Sequence, residues 1–154
     1  MTNKSCCYTL FPIALKIMDE QRMSAIKSIV NWIESSNYDI KTADHMFETK
    51  RYIYVLFMCH LATEKLIKAL YEATTKEMPP KTHNLVSLLN KIALDVPEEH
   101  LKTIESLNDI SIVTRYPEDI KALVKAFKKD RVGDYLQKTK RVLKWLKKDE
   151  RLKK

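Results

Sequence analysis

The sequence predicts an all-α protein, an antiparallel up-down four-helix bundle with one or two additional short helices. The chain has 154 residues, of which 45% are hydrophobic, so it is long enough to bury a core as one domain. It contains a single glycine, Gly133, whereas barrels, sandwiches and glycine-rich phosphate loops need several positive-φ positions. Its abundance of Lys, Leu, Ile, Ala and Glu is typical of helical proteins.

Apolar residues repeat with a helical period along most of the chain. The first helix is predicted from Ser24, as N-cap, to about Thr49. The second helix has the clearest pattern and ends near Thr75, because Pro79 and Pro80 cannot continue it. Its apolar seam, with steps of three and four residues, consists of Tyr52, Val55, Cys59, Ala62, Leu66, Ala69 and Ala73.

The second half of the chain predicts two further long segments and two short ones. A short third helix is expected over residues 85–92, and a fourth helix begins around Pro97 and is closed by Pro117. Residues 120–127 form a short amphipathic turn or helix. Asp130 then caps the last helix.

The domain prediction follows from these segments. Residues 1–23 fall outside the repeating pattern and form an N-terminal extension with little expected order, residues 24–149 form the bundle, and residues 150–154 form a basic tail. The apolar patch from Tyr8 to Leu15 is too short to span a membrane, so no membrane association is expected.

Basic residues are concentrated at the end of the chain. Residues 118–154 hold 14 Lys/Arg and 6 Asp/Glu, whereas residues 1–117 hold 14 of each sign, so the whole net charge of +8 lies in the last quarter. Such a block suits an anionic partner, which is RNA, a nucleotide or an acidic protein. A solvated helix face with a frayed basic tail accounts for it equally well.

Cysteine and histidine patterns predict neither a metal nor a cofactor. The cysteines have no metal-ligand spacing and imply no disulfide framework, so a reducing cytoplasm is the expected compartment. They are Cys6, Cys7 and Cys59. The histidines are scattered, without a cluster of metal ligands or a spacing typical of nucleophilic catalysis, so no catalytic residue is predicted. They are His45, His60, His83 and His100.

Five residues are candidates for contacting a nucleotide or phosphate. Lys65 and Lys68 are able to meet phosphate, although Glu64 and Lys68 at this spacing also make a surface pair worth about 0.2–0.5 kcal/mol. His83 begins the third helix, where it either joins an anion site or anchors the loop.

The string "TRYPED" supplies the other two candidates. Arg115 is a fixed cation able to bind phosphate through two donors, and Tyr116 is able to stack on a base. An ion pair of Arg115 with Glu118 or Asp119 is the alternative.

A set of short strings follows in a characteristic order and spacing along the chain. These are Trp32, "YDIKTA" with Asp39 and Ala43, Tyr52, Phe57, "ATEKLIKAL" with Glu64, Lys65, Lys68 and Ala69, Pro80, Thr82, His83, Leu85, "RYP" at Arg115 to Pro117, and Trp145. Through the order and spacing of these strings, rather than through one motif, the chain from about Ser24 to Lys148 resembles the HEPN domain family (higher eukaryotes and prokaryotes nucleotide-binding).

The resemblance implies a helical bundle that is usually a homodimer. Many prokaryotic members are encoded beside a minimal nucleotidyltransferase and form a toxin–antitoxin-like pair with it. Other members are metal-independent RNases, marked by an arginine followed after four to six residues by a histidine. This sequence departs from that mark, because the windows after Arg22, Arg51, Arg115 and Arg131 contain no histidine.

Three functions therefore remain. The first is a nucleotide- or RNA-binding subunit that pairs with a minimal nucleotidyltransferase, with a shallow polyanion site at the five candidates. The second is an RNase toxin with a non-standard motif, in which His83 approaches Arg115 in three dimensions. The third is a structural dimeric bundle. Because the RNase motif is absent, the sequence favours binding over catalysis.

Overall fold

The computed structural model describes residues 10–116 and 118–153, and that part of the chain is entirely helical. This confirms the predicted all-α class. The six α-helices are α1 (Leu10–Glu48), α2 (Tyr52–Thr75), α3 (Leu85–Lys91), α4 (Glu98–Arg115), α5 (Ile120–Ala126) and α6 (Lys129–Leu146), and a 3₁₀ helix follows at Glu150–Leu152.

Helix α2 is the centre of the bundle. It packs against the other three long helices, α1, α4 and α6. The apolar seam predicted for α2 forms the middle of the core, because Val55, Cys59, Ala62, Leu66 and Ala69 are all fully buried. The helix ends at Thr75 as predicted, and Lys76 closes it in the left-handed conformation with a backbone hydrogen bond to Glu72.

The predicted start of α1 at Ser24 is wrong, because the helix begins at Leu10. The segment from Ala14 to Ser24 contains no glycine or proline and consists largely of good helix formers, so nothing in it stops a helix. Pro12 falls in the first turn, where a missing backbone N–H costs nothing. Residues 1–9, with Cys6 and Cys7, lie outside the described residues.

Helix α6 also begins two residues earlier than predicted. Lys128 is the N-cap and makes no side-chain capping bond, so the prediction that Asp130 caps this helix is wrong. Asp130 instead lies in the first turn, where its negative charge still interacts favourably with the helix dipole. Pro117, which was expected to close α4, lies outside the described residues.

The end of the chain is not frayed up to Lys153. Residues 150–152 form the 3₁₀ helix, which contacts α2. Arg151 donates to both carboxylate oxygens of Asp149 and to Thr74 Oγ1 of α2. The hydrogen bonds from Arg151 hold the pKa of Asp149 below its ordinary value. Six of the 14 Lys/Arg of residues 118–154 lie on α6, and Lys147 and Lys148 follow directly after it. In the described part of the chain, no helix combines the length and the apolarity that crossing a bilayer would require.

Candidate functional site

The polar face of α2 is buried, although it lies opposite the apolar seam. Glu64, Lys68 and Glu72 follow one another at four-residue steps, and each is at most 7% exposed. Helix α1 covers one flank of this face, while the α2–α3 connection and the end of α4 cover the other. A buried charge is costly without a partner, so the role of this face depends on which groups pair with its charged side chains. The interpretation of Glu64 and Lys68 as a surface pair is wrong.

The Glu64 carboxylate is the centre of this arrangement. Lys68 Nζ lies 2.7 Å from Oε1, and His83 Nδ1 lies 3.0 Å from Oε2. Arg115 Nη2 approaches the same Oε2 at 4.0 Å. Burial alone would raise the pKa of Glu64, but the hydrogen bonds from Lys68 and His83 outweigh it and lower the pKa below its ordinary value. The Glu64 carboxylate is therefore ionised at neutral pH, and three basic side chains lie around it.

His60 lies beneath this cluster and is fully buried. Its Nε2 donates to the backbone carbonyl oxygen of His83 at 3.0 Å, since a carbonyl only accepts. Burial lowers the pKa of His60 to about 4, so the ring is neutral at physiological pH. With Nε2 protonated, Nδ1 carries a lone pair, and it lies 3.9 Å from Glu64 Oε2. His60 therefore fixes the backbone at His83 and adds no charge.

His83 faces solvent at the start of α3. Its side chain is 61% exposed, and its Nδ1 must be the donor to Glu64 because a carboxylate accepts. In a neutral ring, Nε2 then carries the lone pair on the solvent side. The helix cap is supplied by the next residue, Asn84, whose side chain accepts from the backbone of Ser87. His83 thus anchors the loop through one nitrogen and leaves the other available.

Arg115 is the last residue of α4 and lies across the cluster from His83. Its guanidinium carbon is 5.5 Å from the centre of the Phe57 ring, which holds the group in place. The 4.0 Å approach to Glu64 is an ion pair beyond hydrogen-bonding distance. Among the described residues the guanidinium donates no hydrogen bond, so its donors remain unused. Tyr116 follows directly and is 78% exposed. Asp119 caps α5 and does not pair with Arg115.

The two candidate lysines serve other contacts. Lys68 is buried with its Nζ on Glu64 and lies 5.6 Å above the Trp32 ring. Lys65 points to the α1 side, where its Nζ is 2.6 Å from Asp39 Oδ2. Both ammonium groups are paired with carboxylates, and the most exposed side chains of the cluster are those of His83 and Tyr116. The Arg115 side chain is 21% exposed and has no such short ion pair.

A second buried carboxylate, Glu72, anchors α1 to the same face. Its Oε2 accepts from Ser28 Oγ at 2.9 Å and from Trp32 Nε1 at 3.0 Å. The Trp32 ring is also the surface on which Lys68 lies. The polar face of α2 is therefore one continuous network from α1 to the end of α4.

Sequence reasoning missed the central role of Glu64 and the part played by His60. Their spacing carried a signal, because His60, Glu64 and Lys68 follow at four-residue steps on one helix face. That signal does not say which neighbouring elements cover the face. The contact of Phe57 with Arg115 joins residues far apart in the chain and had no signal in the spacing.

A metal site and a reactive thiol are both lacking in the described part of the chain. No group of three or more His, Cys, Asp and Glu side chains in that part of the chain is arranged to hold a metal ion. Burial raises the pKa of the Cys59 thiol to about 12, so this cysteine is not a nucleophile at neutral pH.

Comparison with known proteins agrees with this architecture. A family model described as HEPN domain matches residues 29–149. The chain belongs to the HEPN domain family. Among solved structures, this HEPN chain is similar to the crystal structure of TT1696 from Thermus thermophilus, with a TM-score of 0.68 and 20% sequence identity. The match covers 79% of this chain and 97% of that one.

A second similar structure is that of ST0689, described as an archaeal HEPN homologue. Its TM-score is 0.65 at 20% identity, and the match covers 79% of this chain and 96% of that one. At this identity the likeness establishes the fold alone. Comparison with curated protein sequences finds no match.

Proposed function

We propose that this HEPN protein is a nucleotide- or RNA-binding subunit and that Arg115 contacts the phosphate. The observation that carries the proposal is the state of the Arg115 guanidinium. It is held in place by Phe57 and Glu64, yet among the described residues it donates no hydrogen bond. A preorganised guanidinium with unused donors suits a phosphate, which accepts two parallel hydrogen bonds from it.

Glu64 does not neutralise this cation fully. The carboxylate already accepts short contacts from Lys68 and His83, at 2.7 and 3.0 Å, while Arg115 lies at 4.0 Å. The charge of Glu64 is therefore shared among three partners. Arg115 retains positive potential on its solvent side, where an anion is attracted.

Exposed groups beside Arg115 extend the proposed site. Tyr116 is able to stack on a base, an interaction worth about 1–3 kcal/mol per base in single-strand binding proteins. His83 offers Nε2 as a further hydrogen-bonding group. Lys65 and Lys68 support the site without touching the ligand, since both are engaged with carboxylates.

The test is the affinity of Arg115→Ala for a fluorescent nucleoside monophosphate and for a short RNA. A loss of about tenfold, which is about 1.4 kcal/mol, is expected for removal of a phosphate contact. Arg131→Ala is the matched control, because Arg131 also lies over an aromatic ring, that of Phe127, at 4.7 Å. Equal losses of affinity in the two variants would contradict the proposal. So would a loss of affinity in Arg115→Ala that is accompanied by a comparable loss of stability, seen as a lower melting temperature.

A second candidate function, a metal-independent RNase, is favoured by one observation. His83 and Arg115 approach the same oxygen of Glu64, so a histidine stands beside the arginine without the sequence motif. In such a reaction His83 Nε2 takes the proton of the ribose 2′-hydroxyl, and that oxygen attacks the phosphorus. Arg115 stabilises the negative charge that develops, water protonates the departing 5′-oxygen, and a 2′,3′-cyclic phosphate remains.

Incubation of RNA with the purified protein and a chelator tests this candidate. Cleavage that His83→Ala abolishes and that His45→Ala retains would establish it, because His45 is exposed at the end of α1, outside the cluster. RNA that is bound but not cleaved would contradict the RNase candidate and would support binding without catalysis.

We further propose that the protein pairs in the cytoplasm with a minimal nucleotidyltransferase, in a toxin–antitoxin-like system, and that it is itself a homodimer. These proposals rest on what membership in the HEPN family implies. Isolation of the protein from its own cells at native mass tests them. A second small chain with nucleotidyltransferase chemistry in comparable amount would support the pairing, whereas a monomer without a partner would contradict both proposals.

A further inference from the structure

The C-terminal half of α6 and the two residues after it present a basic face that the proposed function does not use. Five cations share about a third of the helix circumference, given the turn of about 100° per residue, and no acidic residue lies between Asp134 and Asp149. The five are Lys140, Arg141, Lys144, Lys147 and Lys148.

Few of these charges are neutralised. Lys140 Nζ lies 2.6 Å from Asp44 of α1, and Arg141 Nη2 lies 3.6 Å from Glu99 of α4. Lys147 donates to the neutral side chain of Asn37. Within residues 10–116 and 118–153, Lys144 and Lys148 have no acidic partner. At least three positive charges therefore remain uncompensated on one helix face.

A groove runs beside this face, between α1 and α6. Its volume is about 330 Å³. The lining residues are Ile40, Lys140, Leu143, Lys144 and Lys147. Partial burial lowers the pKa of Lys147, which means that its ammonium has already lost part of its hydration. Such a group loses less additional hydration when an anion binds. On α1, Lys41 is exposed and lies between Asn37 and Asp44 on the side that faces α6.

We propose that this basic groove, formed by α6 and the facing side of α1, binds the phosphodiester backbone of a nucleic-acid strand. Lys140 and Lys144 are one helical turn apart, about 6 Å along the axis, and Lys147 continues the line. Extended rows of lysine recognise a polyanion by charge alone, without reading bases.

An acidic protein partner fits this face less well. Protein interfaces are depleted in lysine and centre on aromatic or aliphatic anchors. None of the large hydrophobic side chains of α6 is exposed. The face therefore offers charge without the apolar centre that a stable protein interface needs.

This groove is separate from the cluster around Arg115. Helix α6 packs on the seam side of α2, through residues such as Leu136, Thr139 and Leu143, whereas Glu64 lies on the opposite side of α2. The inference therefore stands or fails independently of the proposed function.

The test measures strand binding by Lys144→Glu/Lys148→Glu over a range of salt concentrations. The probes are a labelled RNA and a DNA of the same length, about 20 nucleotides, followed by fluorescence anisotropy. Affinity should fall at least about tenfold, and the slope of log K against log salt should drop by about 1.4, or about 0.7 per lost phosphate contact. RNA and DNA should lose affinity to a similar extent, because the backbone charge is shared.

Lys16→Glu/Lys27→Glu is the matched control, since it makes the same change of net charge at exposed positions of α1. Its affinity should stay close to that of the unaltered protein. An equal loss in this control would mean that total charge, and not the groove, binds the strand, and the inference would be overturned. Displacement of RNA by poly-glutamate at equal charge concentration would also overturn it, in favour of an acidic protein.

One more variant and one more probe keep the result interpretable. Lys144→Gln/Lys147→Gln removes two positive charges without reversing them, and its affinity for the strand should also fall. This variant replaces Lys144→Glu/Lys148→Glu in the test if the charge reversal prevents folding. Lys144→Glu/Lys148→Glu should retain the affinity for a nucleoside monophosphate, which is too short to follow the groove and reports on the cluster around Arg115. A parallel loss of nucleoside monophosphate binding in this lysine variant would contradict a second site.

Discussion

At the scale of single residues, Glu64 shows how burial changes the meaning of a common pair. Glu64–Lys68 and Glu98–Lys102 have the same residue types at the same spacing, with Nζ–Oε1 distances of 2.7 and 2.5 Å. The first pair has side chains at most 9% exposed, whereas those of the second are 71% and 81% exposed. A buried ion whose partner is removed costs far more than an exposed one.

Glu64→Gln should therefore lower the free energy of unfolding by roughly 3 kcal/mol, because Lys68 is left as a buried cation. Glu98→Gln should change it by less than about 0.5 kcal/mol. Urea unfolding of both variants at pH 7 measures the difference. Similar small changes in the two would mean that Lys68 reaches solvent and that Glu64 is not the centre of a buried cluster.

His60 should make stability fall as the pH is lowered. Its pKa is about 4 in the folded protein, against 6.5 for the free side chain, because it is buried. Below pH 6.5 the unfolded chain takes up a proton that the folded protein does not, so stability falls by up to about 1.4 kcal/mol per pH unit until about pH 4. The lowered pKa of Glu64 adds a loss below its unfolded value, about 4.3.

Unfolding measurements between pH 7 and 4 test this account. His60→Gln should flatten the dependence on pH above about 4.5, whatever its own stability, because it removes the titrating group. His45→Gln, at an exposed histidine, should leave the slope unchanged. An unaltered slope in His60→Gln would assign the pH dependence to other groups.

At the scale of elements, the start of α3 depends on α4. Asn108 Oδ1 accepts from the backbone N–H of buried Leu85 at 3.0 Å, which docks the segment that carries His83. Asn108→Ala should lower the free energy of unfolding by about 1–3 kcal/mol, since a buried donor loses its partner. Asn90→Ala, at an exposed position of α3, should have an effect below about 0.5 kcal/mol. Thermal unfolding compares the two, and equal shifts of melting temperature would contradict the role of Asn108.

The elements themselves were largely predictable from the sequence. The seam of α2 and its end at Thr75 follow from apolar spacing and from Pro79 and Pro80, because these are properties of one segment. The start of α1 at Leu10 was missed because the prediction followed the repeat of apolar core residues, which begins near Ser24. The helix itself extends further towards the N-terminus, because no residue between Ala14 and Ser24 stops it.

At the scale of the whole molecule, the site was harder to predict than the fold. His83 and Arg115 were both identified from local strings, but their approach to one carboxylate depends on how α4 returns beside α2. The burial of the Glu64–Lys68 pair was missed for the same reason, since spacing on one helix does not reveal what covers its second face. The basic excess was visible as composition, and only the packing of α6 shows that the cations of this helix lie away from Glu64.

Nuclear magnetic resonance of the histidine rings during titration with a nucleoside monophosphate reports on the proposed phosphate site at His83 and Arg115. The His83 ring resonances should shift in proportion to the bound fraction of the protein. The resonances of His45 and His100, which lie outside the cluster, should not shift, and Arg115→Ala should need about tenfold more nucleotide for the same His83 shift. Binding that leaves the His83 resonances unshifted, or that shifts them at the same nucleotide concentrations in Arg115→Ala, would contradict a phosphate site between these two residues.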